Sequence, residues 1–522
     1  MTIGDATWQA NATAMRDALD ALARHREQAA AGGGAKAVKR HADRGRLPAR
    51  ERVDLLLDRG APFLDLCALA GLHEGGVPGA GMIGGIGRVD GRDVMITATD
   101  PTVQGGAVTP WGLQRSARLS QIAMENRLPE VHLVESAGAD LANQADLFVP
   151  GGAAFRNLAR RSAEGLPTLA VVFGPSTAGG AYIPGMSELT VLVRGQAALY
   201  LAGPPLVAMA LGEEVDEETL GGAVLHTDRT GSGDFLAESD ADAIHVARRL
   251  VARFPGPRSG PISDGPPPLG CADDLLGLPS ADLRIPFDIR DVFARLVDGS
   301  VFDEFKPRYG PSIVAGWADL GGQPIGLMAN HGVLQAEGAE KGAQFVSWCQ
   351  RHRRPLLFLH NVTGFMVGKD AEARGIIKAG AKLIAAVSTA TVPAVTLMVG
   401  ASFGAGNYAL MGRAYQPRFV FSWPSHRIAV MGGTQLAGVL DRVRRDSARK
   451  SGRPVDEAEL ETLKAMMAQK VDHESTCWSA TGRLWDDGII DPRETRDVLR
   501  WAFDIARRAP GPDAAAAPVT RH

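Results

Sequence analysis

The segment PEVHLVESAG at 129–138 returns in outline as PLLFLHNVTG at 355–364: Pro129, Leu133 and Gly138 stand again as Pro355, Leu359 and Gly364, each 226 positions on. The same offset relates FGPSTAGGAY at 173–182 to VGASFGAGNY at 399–408, where Gly174, Ser176, Gly180 and Tyr182 recur as Gly400, Ser402, Gly406 and Tyr408. Gly91 to Asp100 and Gly321 to Asn330 match more loosely, at an offset of 230. One offset held through two separate blocks means one structural unit written twice. A chain of 522 residues has room for two such units and is too long for one ordinary core. The expected division is an N-terminal helical segment over 1–30, a first domain over 31–262, a second over 275–508, and a disordered tail over 509–522. The proline-rich stretch from Phe254 to Pro268 reads as the link between the domains.

Within each half, short apolar runs alternate with helical patterns. Val131–Val134, Leu169–Phe173, Leu356–Leu359 and Val395–Val399 read as buried strands, with helices such as Gln114 to Asn126 and Glu340 to Arg353 between them. That alternation predicts α/β layers. A formal net charge of −3 gives no reason to expect nucleic acid or an anionic membrane as partner. No apolar run approaches the ~20 residues needed to span a bilayer, and the N-terminus lacks a signal-peptide core. The four cysteines (Cys67, Cys271, Cys349, Cys477) form no CxxC pair, which fits a reducing cytoplasm and supports neither disulfides nor structural zinc.

Each duplicated block carries a strand straight into a turn of small residues and then a helix: Gly174 through Tyr182, and Gly400 through Tyr408. A helix start leaves its first N–H groups without intrahelical partners. Small side chains let a ligand oxygen reach those groups, giving an anion site built from backbone. Such a site stabilises the oxyanion of an enolate formed at a thioester carbonyl. The bland alternative is a pair of tight turns where helix packs closely on strand.

Other motifs lead elsewhere or nowhere. GMIGGIG at 81–87 has no P-loop Lys-Ser/Thr after it, and no GxSxG elbow is present. His226, His331, His360 and His426 lack metal-ligand spacing. Two oxyanion sites without a nucleophile, metal or side-chain base fit a reaction whose proton acceptor comes with a cofactor.

The ordered motifs GGGAKAVKRHADRGRLPARERVDLLLD (32–58), ENRLPEVHLVESAGADLANQADLF (125–148), STAGGAYIPGMSE (176–188), NVTGFMVG (361–368), GASFGAGNYALMGRAYQPRFVFSWP (400–424) and RLWDDGIIDPRETRDVL (483–499) cover nearly the whole chain. In them the sequence resembles the carboxyltransferase (β) subunits of biotin-dependent acyl-CoA carboxylases, nearest the methylcrotonyl- and geranyl-CoA branch. The resemblance implies two homologous crotonase-like domains in tandem (the ClpP/crotonase superfold). It implies a homo-hexamer, a trimer of dimers, acting on an acyl-CoA. Biotin would be carried on a partner α subunit bearing the biotin carboxylase and carboxyl carrier, and no metal is implied. Carried over by position, Gly179 and Gly180 would hold the thioester enolate oxygen, and Ala405 and Gly406 the ureido oxygen of biotin. Ala178, Tyr182, Phe403, Tyr408 and Arg115 would contact substrate, with Arg115, Arg118 and Lys378 as candidate partners of CoA phosphates. Gln114-Arg115 replaces that branch's usual lysine pair, and Thr434 and Leu436 depart from its MGGEQAA motif. Acetyl- or propionyl-CoA therefore stays open as substrate, as do a decarboxylase of the same fold and a non-catalytic scaffold subunit.

Overall fold

The computed structural model describes residues 2–509 apart from 257, 281, 283, 284 and 453. The tail expected from residue 509 thus lies, from 510 onward, outside the described residues. The chain forms two compact units. One spans Ala23–Pro261; the other joins the described residues up to Leu22 to those from Ile262 to Ala509. Helix Ala6–Ala30 realises the N-terminal amphipathic pattern, burying Asn11, Met15 and Leu22 along one stripe. Trp8, Ala12, Met15 and Leu19 pack with Leu276, the Trp8 indole donates to the Asp274 carbonyl at 3.0 Å, and Asn11 donates to that of Gly277 at 3.1 Å.

The first unit holds an eight-stranded sheet: β1 (Phe63–Asp65), β2 (Met82–Val89), β3 (Arg92–Thr99), β4 (Glu130–Ser136), β5 (Thr168–Thr177), β6 (Leu189–Val193), β7 (Ala198–Tyr200) and β8 (Phe235–Ala237). Order across it is β1-β2-β3-β4-β5-β6-β8, with β7 on the far end of β5. β1 to β3 are antiparallel and the rest parallel. The second unit repeats the plan with β9 (Asp303–Glu304), β10 (Ile313–Leu320), β11 (Gln323–Asn330), β12 (Leu356–Val362), β13 (Ala394–Phe403), β14 (Phe419–Ser422) and β15 (Arg427–Ala429), in the order β14-β13-β12-β11-β10-β9 with β15 on β13. The central strands are buried on both faces, which is why they read as unbroken apolar runs: Leu169, Val171 and Phe173 enter one cluster and Val172 another.

The duplication runs deeper than its letters. β4 and β12, β5 and β13, and the crossover helices Pro110–Glu125 and Ala336–Arg351 all correspond at an offset of 226. A register shift recurs at the same place, Ser136 pairing with Ser176 and Val362 with Ser402. Arg115 and Lys341 are equivalent: the guanidinium reaches Asp65 on β1 at 3.1 Å, the ammonium Glu304 on β9 at 3.7 Å. Asp58 accepts from the N–H groups of Asp90 and Gly91 and is paired by Arg248, while Asp298 accepts from Gly321 and Gly322 and is paired by Arg496. Each arginine also donates to a leucine carbonyl, of Leu56 and of Leu296. Both hairpin turns are therefore clasped by a carboxylate neutralised from a distant helix, a pairing that sequence spacing does not reveal.

Candidate active site

Each central strand leaves its sheet through one residue in the left-handed region. After β5 this is Ala178, φ 53°; after β13 it is Gly404, φ 55°. The pair stands 226 apart. At Gly404 the conformation suits glycine, whereas at Ala178 it strains the backbone. A helical turn then begins, 3-10 over Ala178–Ala181 and running on as Tyr182–Met186 in the first unit, α over Ala405–Ala409 in the second.

In the second unit Ala405 and Gly406 occupy the first two helical positions, where no intrahelical carbonyl can reach their N–H groups. Asn407, next along, already donates to the Gly404 carbonyl at 3.2 Å. In the first unit Gly179 is the second residue of the 3-10 turn, where its N–H likewise has no intrahelical acceptor, and Gly180 follows it. The two cradles share one exposure pattern, with Gly179 and Ala405 exposed and Gly180 and Gly406 buried.

The recurring glycines are fixed by their neighbours. A Cβ on Gly406 would lie 2.6 Å from Val362 Cγ2; on Gly180 it would meet the hydroxyls of Ser176 and Ser136 at 3.3 and 3.5 Å. On Gly174 and Gly400 it would strike the side chains of Glu135 and Asn361, themselves equivalent positions. Those two side chains mark a divergence. Glu135 is held between Arg46 at 2.5 Å and Arg52 at 2.9 Å, and Arg52 also reaches Asp240 at 3.0 Å while lying 4.1 Å from the Phe173 ring centroid.

Behind the second cradle runs a polar chain. Asn407 donates to Ser402 Oγ at 2.8 Å, and Ser402 is 2.8 Å from His360 Nδ1. His360 Nε2 donates to the Leu410 carbonyl at 2.6 Å, and because burial keeps the ring neutral, Nδ1 is left to accept from Ser402. Burial lowers His360 to about 4 and His426, whose Nδ1 meets the Gly400 carbonyl, to about 3. Asp486 is shifted the other way, raised by burial to about 6. Linkage then fixes the pH dependence. The neutral histidines favour the folded state above their unfolded value of 6.5, and that contribution is lost as pH falls toward their folded values. Asp486 acts oppositely, disfavouring the fold as pH rises from 3.8 through about 6. Two groups outweigh one, so thermal stability should fall on acidification from pH 6.5 to 4. His426→Gln, which keeps a donor for Gly400, should flatten the melting temperature plotted against pH; an unaltered slope would count against this account.

Tyr182 and Tyr408, equivalent and each nearly half exposed, stand beside their cradles. Tyr182 lies edge-on to Phe155 at 5.5 Å and Tyr408 tilts on Tyr415 at 5.8 Å. Ala178 is exposed, but Phe403 is buried in the wall of its unit. One expectation is corrected. Arg115 is 1% exposed and donates to the carbonyls of Leu66, Gly79 and Met82 as well as to Asp65. It clasps the start of the first sheet and has no donor to spare for substrate. Arg118 is buried too, and Lys378 is exposed. Among the described residues no helix is long and apolar enough to cross a membrane, and no cluster of three His, Cys, Asp or Glu is placed to hold a metal.

A family model described as carboxyl transferase domain matches residues 40–514. A Mycobacterium tuberculosis protein named as a probable biotin-dependent acyl-coenzyme A carboxylase beta2 subunit is 50% identical, over 96% of this chain and 95% of its own length. From the same organism, the biotin-dependent 3-methylcrotonyl-coenzyme A carboxylase beta1 subunit is 45% identical over 92% of both chains. Among solved structures, the beta subunit of P. aeruginosa geranyl-CoA carboxylase superposes with a TM-score of 0.90 at 43% identity, covering 99% of this chain and 98% of that one.

Proposed function

This chain belongs to the carboxyl transferase family, and from that premise we infer that it is the β subunit of a biotin-dependent acyl-CoA carboxylase, passing a carboxyl group from carboxybiotin to an acyl-CoA thioester. The observation that carries this is the pair of backbone cradles, one in each crotonase-like unit, at equivalent positions. Gly179 and Gly180 would hold the thioester oxygen, Ala405 and Gly406 the ureido oxygen of biotin. The fit rests on space and donors: Gly406 admits no side chain against Val362, and the first two helical positions keep their N–H groups free of intrahelical acceptors. Bound carboxybiotin supplies the carboxyl group and a ureido group able to take the substrate proton.

The chain's own part is electrostatic. As the thioester's α- or γ-proton leaves, negative charge collects on the carbonyl oxygen, and amides already in place stabilise it without reorganising. The His360–Ser402–Asn407 chain fixes the helical turn that presents the second pair of amides. Neither buried histidine titrates near neutral pH, so neither serves as the base. Tyr182 and Tyr408 frame the approaches.

A branched enoyl-CoA is the proposed substrate, supported by relatives named for 3-methylcrotonyl- and geranyl-CoA. With its cognate α subunit, ATP and bicarbonate, the protein should carboxylate 3-methylcrotonyl- or geranyl-CoA with a kcat/KM at least tenfold above that for propionyl-CoA; the reverse order would overturn the substrate assignment. Biotin is proposed to arrive on that α subunit, in the cytoplasm. A homo-hexamer, a trimer of dimers, is proposed as the working form. The helix Pro204–Leu211, which buries none of its residues and leaves Met209 and Leu211 about three-quarters exposed, supports assembly.

A further inference from the structure

The motif RLWDDG at 483–488 lies outside the duplicated blocks, yet the fold joins it to the chain that leaves the second cradle. Its turn is sewn to β14. The Asp487 N–H donates to the Val420 carbonyl at 2.6 Å, and the Val420 N–H donates back to the Asp487 carboxylate at 2.8 Å. The Ser422 N–H reaches the Gly488 carbonyl at 3.1 Å, and the Ser422 hydroxyl the Asp486 carboxylate at 2.5 Å. From this ledge Arg413 takes its hold: Nε donates to the Leu484 carbonyl at 3.2 Å, and Nη1 lies 3.7 Å from Asp487.

The four residues from Leu410 to Arg413 directly follow the turn Ala405–Ala409, and each is tied down. The Leu410 carbonyl accepts from His360, the Met411 carbonyl from the Thr396 hydroxyl at 2.7 Å, and the Gly412 N–H donates to the Asn407 carbonyl at 2.9 Å. Met411 is left-handed, φ 61°, and so is Leu484, φ 60°. Bulky residues hold that conformation only where their surroundings over-determine it. The first unit does without the device. Gly185 and Ser187 stand 226 positions before Met411 and Arg413; the helix there runs on through Met186, and the Ser187 hydroxyl turns to the Ile183 carbonyl at 2.8 Å. An early helix end, a left-handed methionine and an arginine tether therefore go together in the second unit.

We propose that Arg413 is a positioning residue for carboxyl transfer: held by the Leu484–Asp487 turn, it fixes the segment Leu410–Arg413 and through it the turn that presents the Ala405 and Gly406 amides. The proposal rests on reading those amides as the cradle for biotin. Arginine suits the task because its planar fork offers Nε–H and Nη–H in fixed directions, one to a carbonyl and one to a carboxylate. Two replacements separate those contacts. In Arg413→Gln the amide nitrogen takes the place of Nε, keeping a donor for Leu484 and losing the charge. In Arg413→Lys a methylene takes that place, keeping the charge for Asp487 and losing the Leu484 bond.

In the reconstituted carboxylase, Arg413→Lys should lower kcat by roughly tenfold or more, with the KM for acyl-CoA within about twofold of wild type because the first cradle is untouched. Arg413→Gln should melt lower than Arg413→Lys, having lost a cationic partner of a buried carboxylate, yet keep the higher kcat. The opposite ranking, with kcat following the melting temperature, would mean that Arg413 serves the ion pair alone and would overturn the proposal. Hydrogen exchange supplies a readout independent of turnover. Amides of Gly404–Gly412 should exchange roughly tenfold faster in Arg413→Lys than in wild type, with those of Ala178–Met186 unchanged; identical rates in both segments would sink the tether. Faster exchange alongside a wild type that carboxylates no acyl-CoA would uphold the tether and remove the carboxylase reading alone.

Discussion

Gly406→Val should reduce carboxyl transfer by at least a hundredfold while the subunit still assembles and still binds acyl-CoA. The added side chain cannot be absorbed, because its first carbon already falls 2.6 Å from Val362 on the neighbouring strand. The helical turn must move instead, carrying the Ala405 and Gly406 amides away from any oxygen they hold. Losing one donor of this kind costs about 3–4 kcal/mol in other enzymes, or roughly 10²–10³ in rate, and this change displaces two. Gly180 supplies the contrast. Its would-be Cβ meets the side chains of Ser176 and Ser136 no closer than 3.3 Å, so Gly180→Ala should be tolerated better than Gly406→Ala, whereas Gly180→Val should also stop the reaction. Transfer by Gly406→Val within threefold of wild type would mean that the second cradle is not part of the active site.

The largest effect on stability should come from Arg52→Ala. This guanidinium is 1% exposed, pairs with Glu135 and Asp240, and packs over the Phe173 ring. Deleting it leaves Asp240 with the Leu47 N–H and Glu135 with Arg46, both carboxylates buried and under-compensated. Removing one partner of a buried ion pair costs about 3–5 kcal/mol, a large share of what holds a domain together. Denaturant unfolding should show the midpoint of the transition containing this unit shifted strongly downward, or the variant should fail to accumulate as folded protein. An unshifted midpoint would show that the triad breaks even against solvent. Arg52→Lys keeps the charge but not the planar fork, and should recover only part of the loss.

Much of the architecture was legible because it was written twice. The apolar runs fell inside β4, β5 and their partners β12 and β13, which extend up to four residues further, and the 226-residue offset holds between the paired strands from end to end. What stayed hidden was whatever depends on burial or distant pairing. Arg115 follows a tryptophan and a glutamine on a helical pattern, and nothing in those letters says that its guanidinium turns inward to backbone carbonyls. His360 has Val134 as its counterpart, so repetition could not mark it; its role appears only when Ser402 and Leu410 come within hydrogen-bond range. The difference between a 3-10 start at Ala178 and an α start at Ala405 also lies below the reach of composition, since both turns are built of glycine and alanine.

The helix that opens the chain has a consequence for its birth. Trp8 and Asn11 find their partners at Asp274 and Gly277, 266 residues later in each case, a wait of about 13–53 s at ~5–20 residues per second. Throughout that interval the indole and its apolar neighbours are without their resting place, a window in which a chaperone could engage them. A bulky fusion ahead of Met1 would therefore burden the half of the protein made last.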